Sequence, residues 1–539
     1  MKNKYRKLIC MGMSVFLTLS STPVTTTWAG ETVTPEEVVA EQPVMEEEVS
    51  GTGEVSAEGF QYNELADGTL EITGYDGSDK KLVVPAEIDG KRVTSIGNSA
   101  FDKYRSMLSI ELPSGITNIG DSAFFACRYL TGIELPSSLV SIGKQAFASC
   151  YGLTSIELPS SLTSIGDEAF SYCNSLTDIE LPSGVTSIGN RLFEWSSSLT
   201  NISVDENNET YSSLDGVLFN KQKTVLYSYP AGRKGPYQVP SGVTHISNGA
   251  FSSCRGLTDI ELPSSVEVIE ERAFSSCDGL TNIELPSKVT SIEEDVFSYC
   301  EGLKSIKLPS GLLVIGDSAF SYCRALTDIE LPSRVIVIKG RAFRGCSSLT
   351  DIELPSGVRV IGDSAFSGCG SLISIELPSA LRSIGDSAFS GCDSLINLSI
   401  DENNEKYSSL DGVLFNKQET ELISYPAGKK GPYQVPGGVT SIGVGAFYGC
   451  SNLTSIELPS GVTSIGMWAF RRCSGLTGIE LPSGVTNIGW YAFEGCSGLT
   501  SIEVPSGVMS IGNGMFAGCS NLTSVELPDA VNKIGDNMK

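Results

Sequence analysis

Hydrophobic positions recur along this chain in one pattern that returns every 23 residues, as the prolines Pro113, Pro136 and Pro159 mark. The same step runs from Pro240 to Pro378 and again from Pro436 to Pro528. A fixed period of this size is typical of solenoids, in which stacked copies of one supersecondary unit bury a continuous core. The spacing therefore predicts a rod of about 17 to 19 coils instead of one globular core.

Within one coil, apolar and polar residues alternate with the period of a β-strand on both sides of the proline. Ile133 and Leu135 point to the same side, because successive side chains of a strand point to opposite faces. Pro136 ends this strand, since proline has no N–H to donate to a ladder. Leu139 and Ile142 then predict a second short strand that faces the same interior.

The A-F-x-x-C segment that closes each coil is predicted to form a short helical turn. In the same coil this turn is Lys144–Cys150, and it is expected to bury Ala146, Phe147 and Cys150. Successive coils should rise by about 4.8 Å, the spacing of hydrogen-bonded strands. The predicted fold is a repeat solenoid that is mainly β, with short helical turns and two insertions of β-hairpin type.

Four segments are distinguished by composition. Residues 1–29 combine a basic start, a short apolar run and Thr-Trp-Ala, which predicts a secretory signal peptide, with a retained N-terminal anchor as the alternative. Residues 30–58 are acidic and without aromatics, which predicts a disordered linker. Residues 59–84 carry Asp-Gly turn signals and are interpreted as a strand-rich cap on the first coil. Residues 85–539 form the solenoid.

Two insertions, residues 205–239 and 401–435, interrupt the period. Counted through the closing proline, they differ at only five of 36 positions, which indicates duplication of a block of coils. In the first, the apolar triplets Val217–Phe219 and Val225–Tyr227 flank Asn-Lys-Gln-Lys, a pattern typical of a hairpin, and the second has nearly the same sequence. Four of their tyrosines are candidate ligand contacts: Tyr227, Tyr229, Tyr407 and Tyr425. Aromatic residues dominate interface hot spots, although packing of the hairpin on the next coil is an equal alternative.

The charge is strongly negative, with 63 acidic and 37 basic residues and a net charge of −26. Nucleic acids and anionic membranes are therefore unfavourable partners, and no segment after the signal peptide is apolar enough to span a membrane. A glutamate stands two residues before most of the prolines, so these carboxylates should form a row on one sheet face, interrupted at Lys307.

One part of this row is a candidate calcium site, because oxygen ligands from two adjacent coils come together there. Its residues are Asp328, Glu330, Asp351 and Glu353. The alternative is a solvated acidic face that keeps a repetitive sheet soluble. No calcium-binding loop of Asp, Asn and Gly is present, so no cofactor is expected.

Fourteen cysteines from Cys127 to Cys519 occupy the same register in their coils. Stacked neighbours would be close enough for disulfides, but Tyr104 and Ser196 fill this position in other coils, which favours buried free thiols. The single histidine, His245, has no nucleophile placed beside it by a local motif, and no catalytic constellation is recognisable. The sequence predicts a protein that is not an enzyme.

The phrase A-F-x-x-C-x-x-L-x-x-I-x-L-P, as in Ala365–Pro378, resembles the BspA-like, or treponemal-type, leucine-rich repeats of bacterial proteins. The resemblance implies a secreted or cell-surface scaffold for protein–protein interaction, with adhesion to host or neighbouring cells as its expected role. The implied partner is a protein on a host or bacterial surface. A passive structural component of the envelope or matrix, without a specific ligand, is the alternative. No catalytic residue belongs to the repeat motif.

Overall fold

The computed structural model describes residues 6–9, 54–55 and 59–536. It is a β-solenoid of about 20 turns, with roughly 23 residues in a coil. Most coils contribute strands to two sheets, which we call the first sheet, formed before the proline, and the second sheet, formed after it. The predicted solenoid is confirmed, with slightly more turns than expected. Nowhere in the described ranges is there a helix that could cross a membrane.

The strands of the first sheet are Lys81–Val83, Ser109–Glu111, Gly132–Glu134, Asp178–Leu181, Asn201–Val204, Gly235–Gln238, Leu257–Glu261, Asn282–Glu284, Ser305–Lys307, Ser374–Leu377, Asn397–Ile400, Gly431–Gln434, Leu453–Glu457, Ser501–Glu503 and Ser524–Leu527. Those of the second sheet are Lys91–Ile96, Asn118–Ile119, Ser141–Ile142, Ser164–Ile165, Ser187–Ile188, His245–Ile246, Val268–Ile269, Ser291–Ile292, Val314–Ile315, Val337–Ile338, Val360–Ile361, Ser383–Ile384, Ser441–Ile442, Ser464–Ile465, Asn487–Ile488, Ser510–Ile511 and Lys533–Ile534. The insertions add Tyr211–Leu214, Val217–Asn220, Val225–Ser228, Tyr407–Leu410, Val413–Asn416 and Glu421–Ser424. The N-terminal strands are Arg6–Ile9, Glu54–Val55, Phe60–Glu64, Leu70–Tyr75 and Glu87–Ile88.

Both sheets are parallel between regular coils, and their register follows the repeat. Ile133 lies opposite Ile110 in the first sheet, and Ile142 lies between Ile119 and Ile165 in the second. A shift of one residue would turn every inward side chain outward. The period of 23 therefore keeps each buried position above its counterpart in the preceding coil.

The segment that closes each coil is not a helical turn, contrary to the prediction. In the coil of Phe147, Gln145 and Ser149 adopt left-handed conformations, with φ of 54° and 60°. The Phe147 N–H donates to Ala169 O of the next coil at 2.9 Å, whereas the Ala148 N–H donates to Gln145 O at 3.0 Å. A helix would keep all of its hydrogen bonds inside the coil. The alternating turns instead send every second N–H to the neighbouring coil.

The core consists of aligned columns of identical side chains. Phe124 and Phe147 stack with ring centroids 5.1 Å apart and planes 8° from parallel, and Phe147 and Phe170 stack at 5.5 Å. These separations agree with the predicted rise per coil. Ala146, Phe147 and Cys150 are fully buried, as predicted.

The buried residues form three hydrophobic clusters that meet at the insertions. The first cluster runs from Phe60 to Leu218, the second from Val217 to Leu414 and the third from Val413 to Leu527. The middle strand of each insertion therefore sends alternate side chains into two clusters, as strand geometry requires. Each insertion is thus a partition between two stretches of core.

At the N-terminal end, Phe60–Glu64 pairs antiparallel with Leu70–Tyr75, which pairs parallel with Lys91–Ile96. These strands extend the second sheet beyond the first coil. The predicted signal peptide and linker lie outside the described residues, except for two short strands. Glu54–Val55 pairs with Phe60–Glu64, and Arg6–Ile9 pairs antiparallel with Ser524–Leu527.

The cysteine column consists of free thiols that act as hydrogen-bond donors. Cys323 is fully buried, and its Sγ donates to Phe297 O at 3.1 Å. Burial raises the pKa of Cys346, one coil further on, to about 12. In one coil that lacks the cysteine, Ser196 Oγ donates to Phe170 O at 2.8 Å. Within the column, a small side chain with a donor thus makes the same bond, which explains why serine can replace cysteine.

Replacing Cys323 tests the role of this donor. We expect Cys323→Ser to remain within about 1 kcal/mol of the parent protein, because the hydroxyl keeps the bond to Phe297 O. Cys323→Val should cost about 0.5–1.5 kcal/mol more than Cys323→Ser, because Phe297 O loses the side-chain donor and keeps only the Cys300 N–H. Urea unfolding of the two variants measures the difference, and a valine variant as stable as the serine variant would contradict a role for the donor.

Candidate functional site

The two insertions have the same three-stranded structure. Tyr211–Leu214 pairs antiparallel with Val217–Asn220, which pairs antiparallel with Val225–Ser228. Val225–Ser228 then joins the second sheet in parallel beside His245–Ile246. The second insertion repeats these pairings. The predicted hairpin is present, while the strand that precedes it was not predicted.

Two of the candidate tyrosines are core residues. Tyr229 and Tyr425 are each only 5% exposed. Tyr229 stacks on Phe251 with centroids 5.2 Å apart, and Tyr425 stacks on Phe447 at 5.1 Å. Both rings thus lie at the head of a phenylalanine column. Their burial favours the packing alternative over a role as ligand contacts, because the hairpin turns these rings inward.

The other two tyrosines are half-buried and also hold the insertion together. Tyr407 Oη accepts the Ile384 N–H at 3.0 Å. Tyr227 contacts Tyr211 edge to face at 5.6 Å, and Ile423 replaces it in the second insertion. The structure therefore gives each of them a packing role, and it does not bring the four tyrosines of the two insertions together.

A buried asparagine anchors each insertion to the coil before it, and sequence reasoning missed both. Asn208 is fully buried. Its Nδ2 donates to Pro182 O at 2.8 Å and Val185 O at 2.9 Å, and its Oδ1 accepts the N–H groups of Thr210 and Tyr211. Asn404 makes the equivalent contacts. The detectable signal was an Asn-Asn pair at the same place in both insertions.

On the turn side of the solenoid, the coils on either side of an insertion touch directly. Ser252 Oγ donates to Glu194 Oε1 at 2.7 Å across 58 residues of sequence. Arg255 lies over the Trp195 ring at 4.9 Å from its centroid. The first insertion therefore adds strands to the second sheet but leaves the coils in contact on the turn side.

A buried ion network lies at this junction. Arg191 forms a salt bridge with Glu168 and lies 3.5 Å from Glu194, from Nε to Oε2. Burial raises the pKa of Glu194, although Ser252 and Arg191 oppose it. Burial also acts on Glu168, but hydrogen bonds from Arg191 and Gln145 outweigh it and lower the pKa of Glu168. The network thus places two carboxylates around one partly buried guanidinium.

The acidic row lies on the exposed face of the first sheet. Lys307, which interrupts it, contacts Glu284 at 2.6 Å between Nζ and Oε1. Near the first insertion, Gln238 Nε2 donates to Glu261 Oε2 at 2.7 Å. Lys307 and Gln238 are thus each paired with the adjacent glutamate.

The four residues of the candidate calcium site, Asp328, Glu330, Asp351 and Glu353, are exposed and take no part in any salt bridge of the described region. No group of three or more acidic, histidine or cysteine side chains within residues 59–536 is arranged to hold a metal ion. Side chains of neighbouring parallel strands project side by side instead of converging. The structure therefore does not assemble the metal site that the sequence suggested.

A cavity of 470 Å³ adjoins these residues on the first sheet. Asp351 and Glu353 line it together with Glu376, Ser374 and Asp401, the first residue of the second insertion. Carboxylates from three coils thus surround one open depression.

The second sheet carries a separate groove of 490 Å³ along the first coils. One side is a row of hydroxyl and amide groups that includes Ser141 and Ser164, and the other includes Asp121, Lys144 and Asp167. Asp121 Oδ1 accepts the Lys144 N–H at 2.7 Å. In several coils the polar residue after the glycine thus bonds to the backbone of the next coil.

Comparison with known proteins identifies the repeat. A family description, the BspA type leucine rich repeat region, matches residues 94–223, 236–333, 313–428 and 433–538. No curated protein matches the chain in sequence.

Three solved structures of bacterial leucine-rich repeat proteins are similar to this chain. A leucine-rich repeat protein of Eubacterium ventriosum is 24% identical, with 59% of this chain and 94% of that chain covered and a TM-score of 0.43. A leucine rich cell surface protein of Faecalibacterium prausnitzii is 23% identical, with 90% and 95% covered and a TM-score of 0.30. A leucine-rich repeat protein of Bacteroides ovatus is 27% identical, with 83% and 94% covered and a TM-score of 0.32.

Proposed function

Because the chain belongs to the BspA type leucine-rich repeat family, we propose that it is a secreted or surface-displayed scaffold that binds a protein partner. The exposed face of the first sheet is the proposed contact. The predicted signal peptide supports export, and adhesion to a host or bacterial surface is the role that such a scaffold would serve.

One stretch of this face carries the proposal. Between Lys307 and the second insertion, the row contains no cation and borders the cavity of 470 Å³. We call this stretch the acidic face: Asp328, Glu330, Asp351, Glu353, Glu376 and Asp401. Like charges opposite one another destabilise a sheet, so the fold alone gives no reason to concentrate them here.

The acidic face fits a basic protein surface. Complementary charge speeds association and selects partners, and a broad sheet face suits a protein better than a small molecule, which needs a deep and largely apolar pocket. Binding should therefore weaken as salt is added, since exposed charges are screened beyond about 8–10 Å at physiological ionic strength.

The triple variant Asp351→Asn, Glu353→Gln, Glu376→Gln tests this proposal. We expect roughly tenfold weaker binding to a basic partner, mainly through slower association. Surface plasmon resonance against purified extracellular proteins, both basic and acidic, measures it at two salt concentrations. The free energy of unfolding should not decrease, because removing like charges from neighbouring strands relieves their repulsion.

A matched control changes the same row far from the acidic face: Glu111→Gln, Glu134→Gln and Glu157→Gln. It alters the net charge by the same amount and should leave binding unchanged. Equal weakening in both variants would show that only net charge matters. Saturable binding to none of the proteins would favour the passive structural component instead.

A further inference from the structure

Three consecutive coils of the C-terminal cluster depart from a pattern that most other coils of the solenoid share. The residue after the glycine, or after the residue that replaces it, is polar in most coils: Asn98, Asp121, Lys144, Asp167, Asn190, Asn248, Glu271, Glu294, Asp317, Asp363 and Asp386. In three consecutive coils after the second insertion it is Val444, Met467 and Trp490. The Trp490 side chain is 57% exposed.

The next position in two of these coils is also aromatic. Trp468 and Tyr491 occupy it with left-handed φ values of 57° and 56°. Gly445 and Gly514 occupy it in the flanking coils, with φ of 61° and 58°. Left-handed backbone costs a residue with a side chain roughly 1–2 kcal/mol. Glycine satisfies the fold at this position, so packing of the coil does not explain the aromatic residues.

The rings lie against glycines of the next coil. A Cβ atom at Gly512 would be 2.5 Å from Trp490 Cδ1, and one at Gly514 would be 2.2 Å from Tyr491 Cε1. Because one side of the Trp490 ring rests on backbone and the residue is mostly exposed, its other side is open to a ligand. We call Val444, Met467, Trp468, Trp490 and Tyr491 the aromatic strip.

A row of small polar groups runs beside the aromatic strip on the second sheet. It consists of Ser441, Ser464, Asn487 and Ser510. The equivalent rows in the first coils enclose the groove of 490 Å³. In the coils of Val444, Met467 and Trp490, however, neither row contains a carboxylate, although the chain carries a net charge of −26. This surface therefore complements an uncharged ligand and not the basic partner of the acidic face.

We propose that the aromatic strip binds an uncharged, extended β-linked polysaccharide that runs along the solenoid axis. Sugars present apolar C–H faces that stack on aromatic rings and hydroxyls that bond to serine and asparagine. The strip repeats with the coil spacing of about 4.8 Å, which is close to the length of one sugar unit. An extended peptide places side chains on one face only about every 6.6 Å, so it would not stay in register with coils that are spaced about 4.8 Å apart. This proposal is independent of the acidic face.

Isothermal titration with β-1,4-linked hexasaccharides of glucose and of N-acetylglucosamine tests the proposal. The full chain should bind at least one of them saturably, and Trp490→Asp combined with Met467→Asp should weaken binding more than tenfold. The double variant introduces aspartate at positions where other coils already have it. Asp121 is one example, and its Oδ1 accepts the Lys144 N–H. The double variant should therefore fold normally, which circular dichroism and thermal melting check.

The control is Asp363→Asn, a change at the same position in the second cluster, which should leave sugar binding intact. Saturable binding of neither hexasaccharide would overturn the proposal, as would equal binding by the parent protein and the double variant. If the strip instead joins two copies of the chain, sedimentation should show a concentration-dependent dimer. The double variant should then lose this dimer, and the parent protein should bind no sugar. That result would also overturn it.

Discussion

Replacing Arg191 with methionine is expected to destabilise the protein by about 3–5 kcal/mol at pH 7, because it leaves buried carboxylates without their cation. The side chains of Arg191 and Glu194 are only 24% and 11% exposed. Glu168, which also contacts Arg191, is 16% exposed. The loss should fall on the junction at the first insertion, where Ser252 of the next coil also contacts Glu194.

The deficit of Arg191→Met should depend on pH. Burial raises the pKa of Glu194 above its ordinary value, so its ionisation penalises the folded state once the pH exceeds the pKa of the unfolded chain. Without Arg191, the free-energy cost of an ionised Glu194 in the folded protein is larger. This cost decreases as the pH falls through the raised pKa of Glu194, because the carboxylate is then protonated. Glu168 behaves oppositely in the parent protein, since its lowered pKa gives stability above the unfolded pKa that is lost at lower pH. The two proteins should therefore converge on acidification.

Urea unfolding of both proteins at pH 7 and at about pH 4.5, near the ordinary pKa of glutamate, measures this convergence. The variant with Arg191→Met, Glu168→Gln and Glu194→Gln should recover much of the stability, because it has no buried charge left. Arg382→Met is the control, since Arg382 and Glu405 are 63% and 80% exposed, and exposed pairs contribute about 0–1 kcal/mol. A deficit that does not change with pH would contradict the assignment to Glu194.

The regular coils were predictable because each apolar residue of the repeat has the same role, which is to pack in one column of the core. The period places Ile110, Ile133 and Phe147 in columns, and parallel stacking follows from that register alone. The conformation of the turn was not predictable from the same pattern. A-F-x-x-C has apolar spacing that fits a helical turn, and only contact with the next coil selects left-handed residues such as Gln145 and Ser149.

The sequence predicted that the carboxylates form a row, but it did not predict how their side chains are arranged. The glutamates before each proline occupy the expected exposed face, since strand alternation sets their side. The sequence spacing does not determine the direction of each side chain. That direction decides whether carboxylates of adjacent coils converge on one ion. In the insertions, Tyr229 and Tyr425 appeared to be exposed because their segments break the repeat. The break in fact supplies the first ring of a new phenylalanine column.

The insertions themselves hold the successive stretches of core together, and Asn208 is the residue whose change should show this most clearly. Asn208→Asp is expected to cost about 2–4 kcal/mol at pH 7. The substitution keeps the shape, and its Oδ1 can still accept the N–H groups of Thr210 and Tyr211. The second oxygen, however, replaces a donor and faces Pro182 O and Val185 O. A carboxylate cannot donate to them, and burial penalises its charge.

The effect should be local, because a solenoid coil is stabilised mainly by its neighbours. Hydrogen exchange should show lost protection at Thr210, at Tyr211 and at Ile188, whose N–H donates to Tyr211 Oη at 3.2 Å. Asn404→Asp should produce the same loss around the second insertion and leave the first unchanged. Asn207→Asp, at an exposed neighbouring position, should cost less than about 1 kcal/mol. If protection fell equally along the whole chain, the insertions would not separate independent stretches of core, and the solenoid would unfold as one unit.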